Sequence, residues 1–295
     1  MHTQVIIPVG VALVFFLHGA NLSLENLKTG VKNWRLHLFV QASTFVFIPL
    51  IGFAVVVVLR GVVPFDVLLG FFYLCALPST ISSSVALTAM ARGDVAAAVF
   101  NATLSGLIGM FMTPLLVGIL VQGSDQAISI AESIIAILTK LLLPFVAGHL
   151  MQPLLKPVLA RFKTILNRLD RGVIVLIVYA SFCDSTQAGL WSDYGVEMIA
   201  LVAVMTGLLL LLVVSATARA SRLLGFPREV EITAVFCGSK KSLANGIPMA
   251  KVLFASHPAL GIIVLPIMLY HQLQLMLCTY LARRYAKSHA IKENR

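Results

Sequence analysis

Nine long apolar segments are the feature that most constrains how this chain can fold. A helix of about 20 apolar residues is long enough to cross the hydrocarbon core of a bilayer. The chain is 59% hydrophobic and 12% charged, whereas soluble proteins are about 25% charged. We therefore predict an all-α, polytopic membrane protein with nine spans. The segments cover residues 3–20, 36–59, 65–91, 95–122, 128–152, 171–190, 196–221, 229–254 and 258–282.

The positive charges predict an orientation. The net charge is +10, from 22 Lys and Arg against 12 Asp and Glu. If all nine segments cross, seventeen of these cations lie on one side, and only Arg60 lies on the other. Some of the seventeen belong to residues 153–170, which we predict to be a long connecting loop because they include Pro153 and Pro157. Lys and Arg accumulate in cytoplasmic loops. The distribution therefore favours membrane orientation over nucleic-acid binding. It predicts a bacterial inner-membrane protein with an external N-terminus and a cytoplasmic C-terminus.

Two of the segments are interrupted by polar residues. Residues 236–250 contain two glycines, a proline, Lys240 and Lys241, with apolar sequence on both sides. Residues 77–84 contain four serines and Pro78, whose ring removes a backbone donor. Unpaired backbone groups persist at membrane depth only inside protein or beside a water-filled cavity. Each interruption therefore predicts one crossing made of two half-helices.

The order of the segments predicts an inverted repeat. The two interrupted segments enter from opposite sides, and each is followed by a short link and one last helix. Residues 1–122 form the first repeat, with four spans, and residues 123–295 form the second, with five. We therefore expect that an ancestral first helix is absent from this sequence.

Lys240 and Lys241 are the first candidates for a binding site. Ionisable residues inside a membrane are expensive to bury and usually functional. They can bind a carboxylate, sulfate or phosphate, or replace a coupling cation; the alternative is a structural pair with Asp184 or Glu231, and one lysine of the two can be structural. The substrate-binding candidates are Lys240, Lys241, Ser242, Asn245, His18, His271 and Gln272.

Hydroxyl and amide groups near the predicted breaks are candidates for ion coupling. Carbonyls at half-helix C-termini favour cations. The alternatives are backbone satisfaction at a break and polar contacts between helices. For Asp184, the alternative is an ion pair with Lys140. The ion-coupling candidates are Thr44, Ser82, Ser83, Ser84, Asn101, Thr103, Ser239 and Asp184.

Several motifs resemble the bile acid:sodium symporter family, in the branch that joins bacterial members with the vertebrate seventh-member group. The resemblance covers about residues 5–286. It implies ten helices in a panel domain and a core domain, with two crossed discontinuous helices in the core. The motifs are residues 15–20, residues 34–38, residues 77–80 (Leu-Pro-Ser-Thr), residues 90–96 (Met-Ala-Arg-Gly-Asp-Val-Ala), residues 143–150, residues 236–250 and residues 271–275.

The resemblance also implies two sodium sites, but this chain departs from both. A Glu and a Gln that bind sodium in better-known members fall on Phe236 and Lys240. Two hydroxyl ligands fall on Ala98 and Ala102, and another Gln falls on Thr44. Neither implied sodium site is intact, so Na+ and H+ both stay open as the coupling ion.

These observations predict a secondary transporter that moves a small organic anion by alternating access with a coupling cation. The alternative is a non-transporting membrane regulator or scaffold that keeps the symporter fold. An enzyme is not expected, because the sequence has no P-loop, HExxH or G-x-S-x-G motif. We expect no metal site and no nucleic-acid partner; the partners are the anion, the cation and the bilayer.

Overall fold

The computed structural model describes residues 3–21, 32–121, 130–187, 195–255 and 257–293, and these are almost entirely helical, without a β-strand. The all-α prediction is confirmed for this part of the chain. The helices are α1 Thr3–Ala20, α2 Trp34–Leu59, α3 Phe65–Ala76, α4 Ser82–Met90, α5 Val95–Val121, α6 Ile130–Ile137, α7 Leu143–Gln187, α8 Val196–Leu223, α9 Arg228–Gly238, α10 Leu243–Leu253 and α11 Leu260–Glu293.

Five helical stretches among the described residues are long and apolar enough to cross a membrane. The other predicted segments fall on α1, on the second part of α7 and on the two pairs of short helices α3/α4 and α9/α10. The count of nine spans therefore stays a prediction. The five stretches are Trp34–Leu59, Val95–Val121, Ile135–Leu159, Val196–Leu223 and Leu260–Ser288.

Both interrupted segments are broken helices, as their polar residues predict. Helix α3 ends at Ala76, and Leu77 is extended (ψ 151°), the conformation that a following proline favours. Helix α10 starts after Ser242, whose Oγ accepts a hydrogen bond from the Asn245 amide at 3.2 Å. This is an N-cap, which satisfies a backbone donor that the helix itself leaves unpaired.

One end of the described structure gathers several of the basic groups that the charge pattern assigns to one side. Glu231 is the centre of this basic end. It accepts hydrogen bonds from Arg222 at 2.9 Å, from Arg228 at 3.0 Å and from the Tyr285 hydroxyl at 3.2 Å. The α4–α5 turn joins them, because the Asp94 amide donates to the Glu229 carbonyl. The start of α2 lies here too, with Arg35 over the ring of Phe226.

Two contacts between a basic and an acidic side chain mark the opposite end of the described structure. Here His257 lies 3.6 Å from Asp66 at the start of α3, and Lys251 at the end of α10 lies 3.8 Å from Asp184. The α3/α4 pair thus runs towards the basic end, whereas the α9/α10 pair runs away from it. The two broken helices therefore traverse the molecule in opposite directions.

Helix α1 packs closely on α7 through two glycines. A Cβ on Gly19 would collide with the Phe145 carbonyl oxygen, and a Cβ on Gly148 would collide with the Phe16 carbonyl oxygen. Such backbone approach is typical of small residues at helix contacts in membranes. The α1–α7 contact therefore requires glycine, which has no Cβ, at both positions.

The connector at residues 153–170 is helical, so its prediction as a loop is wrong. Prolines favoured a loop, but proline has a φ compatible with a helix, and Leu, Lys, Arg and Ala are strong helix formers. The chain bends instead at Phe162 (φ −105°, ψ 15°). A straight α7 would separate Gly148 from Val173 by about 37 Å, yet Val173 contacts Gly10 of α1. Both arms of α7 therefore return to the same short helix.

Some sequence predictions lie outside the described residues. They concern two of the seventeen cations assigned to one side, Lys28 and Arg295, and the ends of three segments at residues 122, 128–129 and 188–190. The two-repeat division at residues 122 and 123 falls there as well.

Candidate functional site

The two helix breaks meet, and we call residues 77–81 and 239–242 together the crossing point. The Ser242 amide donates to the Pro78 carbonyl at 2.9 Å. The Ser79 hydroxyl donates to the Cys237 carbonyl at 2.7 Å. Each break therefore satisfies backbone groups of the other, and the two broken helices are tied together where both are unwound.

The ammonium group of Lys241 is fully coordinated at the crossing point. Its Nζ donates to the carbonyl oxygens of Cys75 at 2.7 Å, Leu77 at 2.7 Å and Thr44 at 3.0 Å. An ammonium group has three donors and no acceptor, so these three bonds use its whole capacity. The side chain is 0% exposed. We call these three oxygens the carbonyl cage.

Two cage oxygens are available because α3 stops. In a continuous helix, the Cys75 carbonyl would accept from the Ser79 amide. That amide instead donates to the Ser105 hydroxyl at 2.9 Å. The Leu77 carbonyl lies beyond the last helical residue, within the break. The C-terminal end of α3 thus presents two carbonyl oxygens that no backbone amide occupies. This end of a helix carries partial negative charge.

The third cage oxygen is available because α2 contains a wide π-helical turn at Ser43–Phe47. The Ile48 amide donates to the Ser43 carbonyl and not to that of Thr44. The next residue, Pro49, has no N–H to offer. The Thr44 carbonyl therefore has no amide donor in its own helix and is free to bind Lys241.

Lys240, the adjacent lysine, is equally buried but lacks such hydrogen-bond partners. It is 0% exposed, and its Nζ makes no hydrogen bond to any described residue. Its charge acts on the thiols of Cys237 and Cys278 and on the ring of His271, and no described carboxylate is among these neighbours. An unpaired buried charge is costly, so Lys240 is the orphan cation of the crossing point.

Neither acidic residue considered as a lysine partner has that role. Glu231 binds Arg222 and Arg228 at the basic end, and Asp184 lies beside Lys251 with 62% of its side chain exposed. Among the described residues, the salt-bridge partner of Asp184 is Lys251 and not Lys140, the alternative that the sequence left open. Lys241 is bound by backbone carbonyls and not by either acid.

Serine hydroxyls satisfy the carbonyls that α9 leaves free at its C-terminal end. The hydroxyl of Ser239 also turns back on its own helix and donates to Val235 at 2.6 Å. Backbone satisfaction, the simpler interpretation, thus accounts for Ser84 and Ser239 as well as for Ser79. The bonds to successive carbonyls run from Ser84 to Phe236 (3.1 Å), Ser79 to Cys237 (2.7 Å) and Ser43 to Gly238 (3.0 Å).

Two tyrosines that sequence reasoning missed brace the second break together with Gln274. The hydroxyl of Tyr270 donates to the Ser239 carbonyl, and that of Tyr73 donates to the Gly246 carbonyl, both at 2.6 Å. The side-chain amide of Gln274 binds both the N–H (3.0 Å) and the carbonyl (2.9 Å) of Lys241. A broken helix leaves carbonyls without backbone donors. This excess was the sequence signal that neighbouring helices must supply donors.

The remaining candidates divide by their burial. Ser83 Oγ is buried without a hydrogen bond to a described residue. Asn101 is buried and donates to the Ala97 carbonyl, while its own Oδ1 accepts from Gln41. Thr103 is buried on α5, and Asn245 lies partly buried at the start of α10.

The other predicted site residues differ in how close they lie to the crossing point. His271 is partly buried and contacts Gln274 at 2.9 Å, so it adjoins the second break. Ser82 and Gln272 are exposed. His18 lies on α1, which packs on α7. The hydroxyl of Thr44 turns to the Val40 carbonyl, so only the carbonyl of Thr44 takes part in the site.

Three of the five positions aligned with sodium ligands are apolar and closed. Phe236, Ala98 and Ala102 are each 0% exposed, and the Phe236 ring packs edge-on against Tyr285 at 6.1 Å. These side chains offer no oxygen to a cation.

Comparisons with known proteins agree with the sequence resemblance. Residues 1–287 match the SBF-like CPA transporter family. The chain is 46% identical to Uncharacterized protein PA2026 of Pseudomonas aeruginosa, over 95% of this chain and 84% of the relative. It is 45% identical to the Escherichia coli protein named "Putative symporter YfeH", over 94% and 83%. It is 29% identical to Sodium/bile acid cotransporter 7 of Rattus norvegicus, over 91% and 79%.

Proposed function

This chain belongs to the SBF-like CPA transporter family, and from that premise we propose that it moves a small organic anion by alternating access. It is a multi-pass membrane protein and a membrane transporter of that family. Relatives named as bile acid cotransporters and as a symporter support an anionic substrate and a coupling cation. The panel and core domains and the nine spans of the family arrangement are part of this proposal.

The observation that carries the proposal is the orphan ammonium of Lys240. Folding desolvates this cation and supplies neither a carboxylate nor a carbonyl among the described residues. A carboxylate or sulfate of a solute would provide the missing partner, since hydrogen bonds between opposite charges are short and strong. Lys241 is unsuited to this role, because its three donors are already used.

Burial of Lys240 supports a mechanism with alternating access. A solute cannot reach a side chain that is 0% exposed unless packing around it opens. The breaks offer such a place, since hydrogen bonds from single serines and tyrosines hold them where a helix would have a continuous ladder. Buried, unpaired hydroxyls on α4, those of Ser83 and Thr88, offer further polar groups to an entering solute.

Uptake into proteoliposomes tests the proposal. The probes are a radiolabelled bile acid and smaller organic mono- and dicarboxylates, each with an inward Na+ or H+ gradient. Wild-type protein should show saturable uptake of at least one anion. Lys240→Ala should reduce it about 30-fold or more, because losing one partner of a buried charge pair costs about 2–5 kcal/mol.

Lys251→Ala is the matched control, because Lys251 lies beside Asp184 at the opposite end from the basic cluster. It should retain wild-type uptake. Equal uptake by wild type and Lys240→Ala would contradict the role of Lys240. No uptake of any probe by wild type would favour the non-transporting regulator.

We also propose a cytoplasmic C-terminus in a bacterial inner membrane. The structure brings Arg35, the turn after α4, Arg222, Arg228 and the last turns of α11 to one end, and such basic clusters usually face the cytoplasm. A green fluorescent protein fused to the C-terminus should therefore fluoresce in bacteria, and an alkaline phosphatase fusion should be inactive. The reverse pattern would contradict this orientation.

A further inference from the structure

We propose that the carbonyl cage is a monovalent-cation site that Lys241 fills with its own ammonium group. The site consists of the carbonyl oxygens of Thr44, Cys75 and Leu77, which belong to α2 and to the end of α3. Its ligand in the wild-type protein is a side chain of the same chain. Removing that side chain should therefore create a site for a free monovalent cation.

The coordination supports a cation site and not an ordinary ion pair. Three oxygens lie 2.7, 2.7 and 3.0 Å from Nζ, and no described Asp or Glu is an electrostatic neighbour of Lys241. Rings of backbone carbonyls are the means by which proteins replace the hydration shell of a monovalent ion. A neutral cage suits a single positive charge, whereas a divalent cation usually requires carboxylates.

The cage is built independently of the lysine. Its oxygens are free because of Pro49, the wide turn of α2 and the end of α3, and none of these features is part of α9 or α10. Without Lys241, three buried carbonyls would lack donors. Each unsatisfied buried group costs about 1–3 kcal/mol, so the empty cage should bind any cation of suitable size and charge.

The inference deepens the proposed function, and rests on it, only where it concerns coupling. If the protein transports an anion, the cage is occupied by a tethered charge throughout the cycle. No sodium ion would then enter or leave at this position. The structural part of the inference is separable, because occupancy of the cage changes stability whether or not the protein transports.

Thermal stability of the purified full chain in detergent tests the inference without a transport assay. The variants are wild type, Lys241→Ala and Lys241→Met, each measured in ammonium chloride and in choline chloride at equal ionic strength. Lys241→Ala should melt below wild type in choline and regain about 3 °C or more in ammonium. Lys241→Met should melt low in both salts, because its side chain fills the space without supplying a donor.

Lys240→Ala is the matched control, since it removes a neighbouring ammonium group that makes no hydrogen bond to a described residue. It should show the same stability in ammonium and in choline. A Lys241→Ala variant that ammonium does not stabilise more than choline overturns the inference.

Wild-type protein provides a second measurement that does not depend on the variants folding. Its melting temperature should be equal in ammonium chloride and choline chloride, because the cage is already occupied. A wild-type protein that ammonium stabilises over choline overturns the inference as well. These results are independent of whether any anion is taken up, so the failure of one proposal is distinguishable from the failure of the other.

Discussion

Lys240→Met is expected to make the protein more stable while it removes anion uptake. The wild-type side chain buries an ammonium group without a hydrogen-bond partner among the described residues. Met has a similar length and no polar group to desolvate. Replacing buried charged groups with apolar ones of similar volume often stabilises by about 1–4 kcal/mol. We expect a rise of about 4 °C in melting temperature.

The measurement is thermal unfolding of the purified protein beside uptake into proteoliposomes. Two lysines provide matched controls. Lys241→Met should lower the melting temperature, because it leaves the three carbonyls of the cage unpaired. Lys251→Met should change it little, since partly exposed ion pairs contribute about 0–1 kcal/mol. A Lys240→Met protein that is less stable than wild type would show that Lys240 has a structural partner.

Gly19→Ala is expected to lower stability severely. The added Cβ would collide with the carbonyl oxygen of Phe145, and a backbone atom inside a helix cannot rotate away as a side chain can. Helices α1 and α7 would have to separate, with the loss of their mutual packing. Overpacking of this kind costs about 1–3 kcal/mol and sometimes more. Gly148→Ala should behave alike, since its Cβ would meet the carbonyl oxygen of Phe16.

Gly207→Ala is the control for both glycines. Gly207 is also inside a helix, α8, but a Cβ there would lie 3.8 Å from the nearest atom, in Leu273. Ala is a better helix former than Gly by about 1 kcal/mol, so this variant should be as stable as wild type or slightly more so. The measurement is the melting temperature and the yield of monodisperse protein in detergent. Equal stability of Gly19→Ala and Gly207→Ala would refute the tight contact.

Much of the fold could be predicted because the relevant signals are local. Apolar runs predict the helices, and a proline or a polar pair of lysines within a run predicts a break. The N-cap at Ser242 follows from the same stretch. The helical connector could not be predicted as easily, because Pro153 and Pro157 suggest a loop, whereas the helix in fact continues to a bend at Phe162.

The roles of the two lysines could not be separated from the sequence. Lys240 and Lys241 are identical neighbours in one polar stretch, and both are fully buried. What distinguishes them is the set of acceptors, and the acceptors of Lys241 are backbone oxygens of distant segments. Every residue carries a carbonyl, so the residue type at Thr44 or Cys75 does not reveal which carbonyl is free. The tyrosines that brace the second break were missed for a related reason, since their partners are carbonyls too.

The π-helical turn of α2 has a consequence for how this site could change in evolution. Such a turn holds one residue more than the α-helical turn it replaces. Deletion of Ser43 alone would restore the regular ladder, in which the Ile48 amide donates to the Thr44 carbonyl, and would so return that oxygen to its own helix. Lys241 would then lose a ligand although no residue that contacts it had been substituted. In an alignment of relatives, a gap at this turn would therefore indicate the loss of a Lys241 ligand more directly than a substitution would.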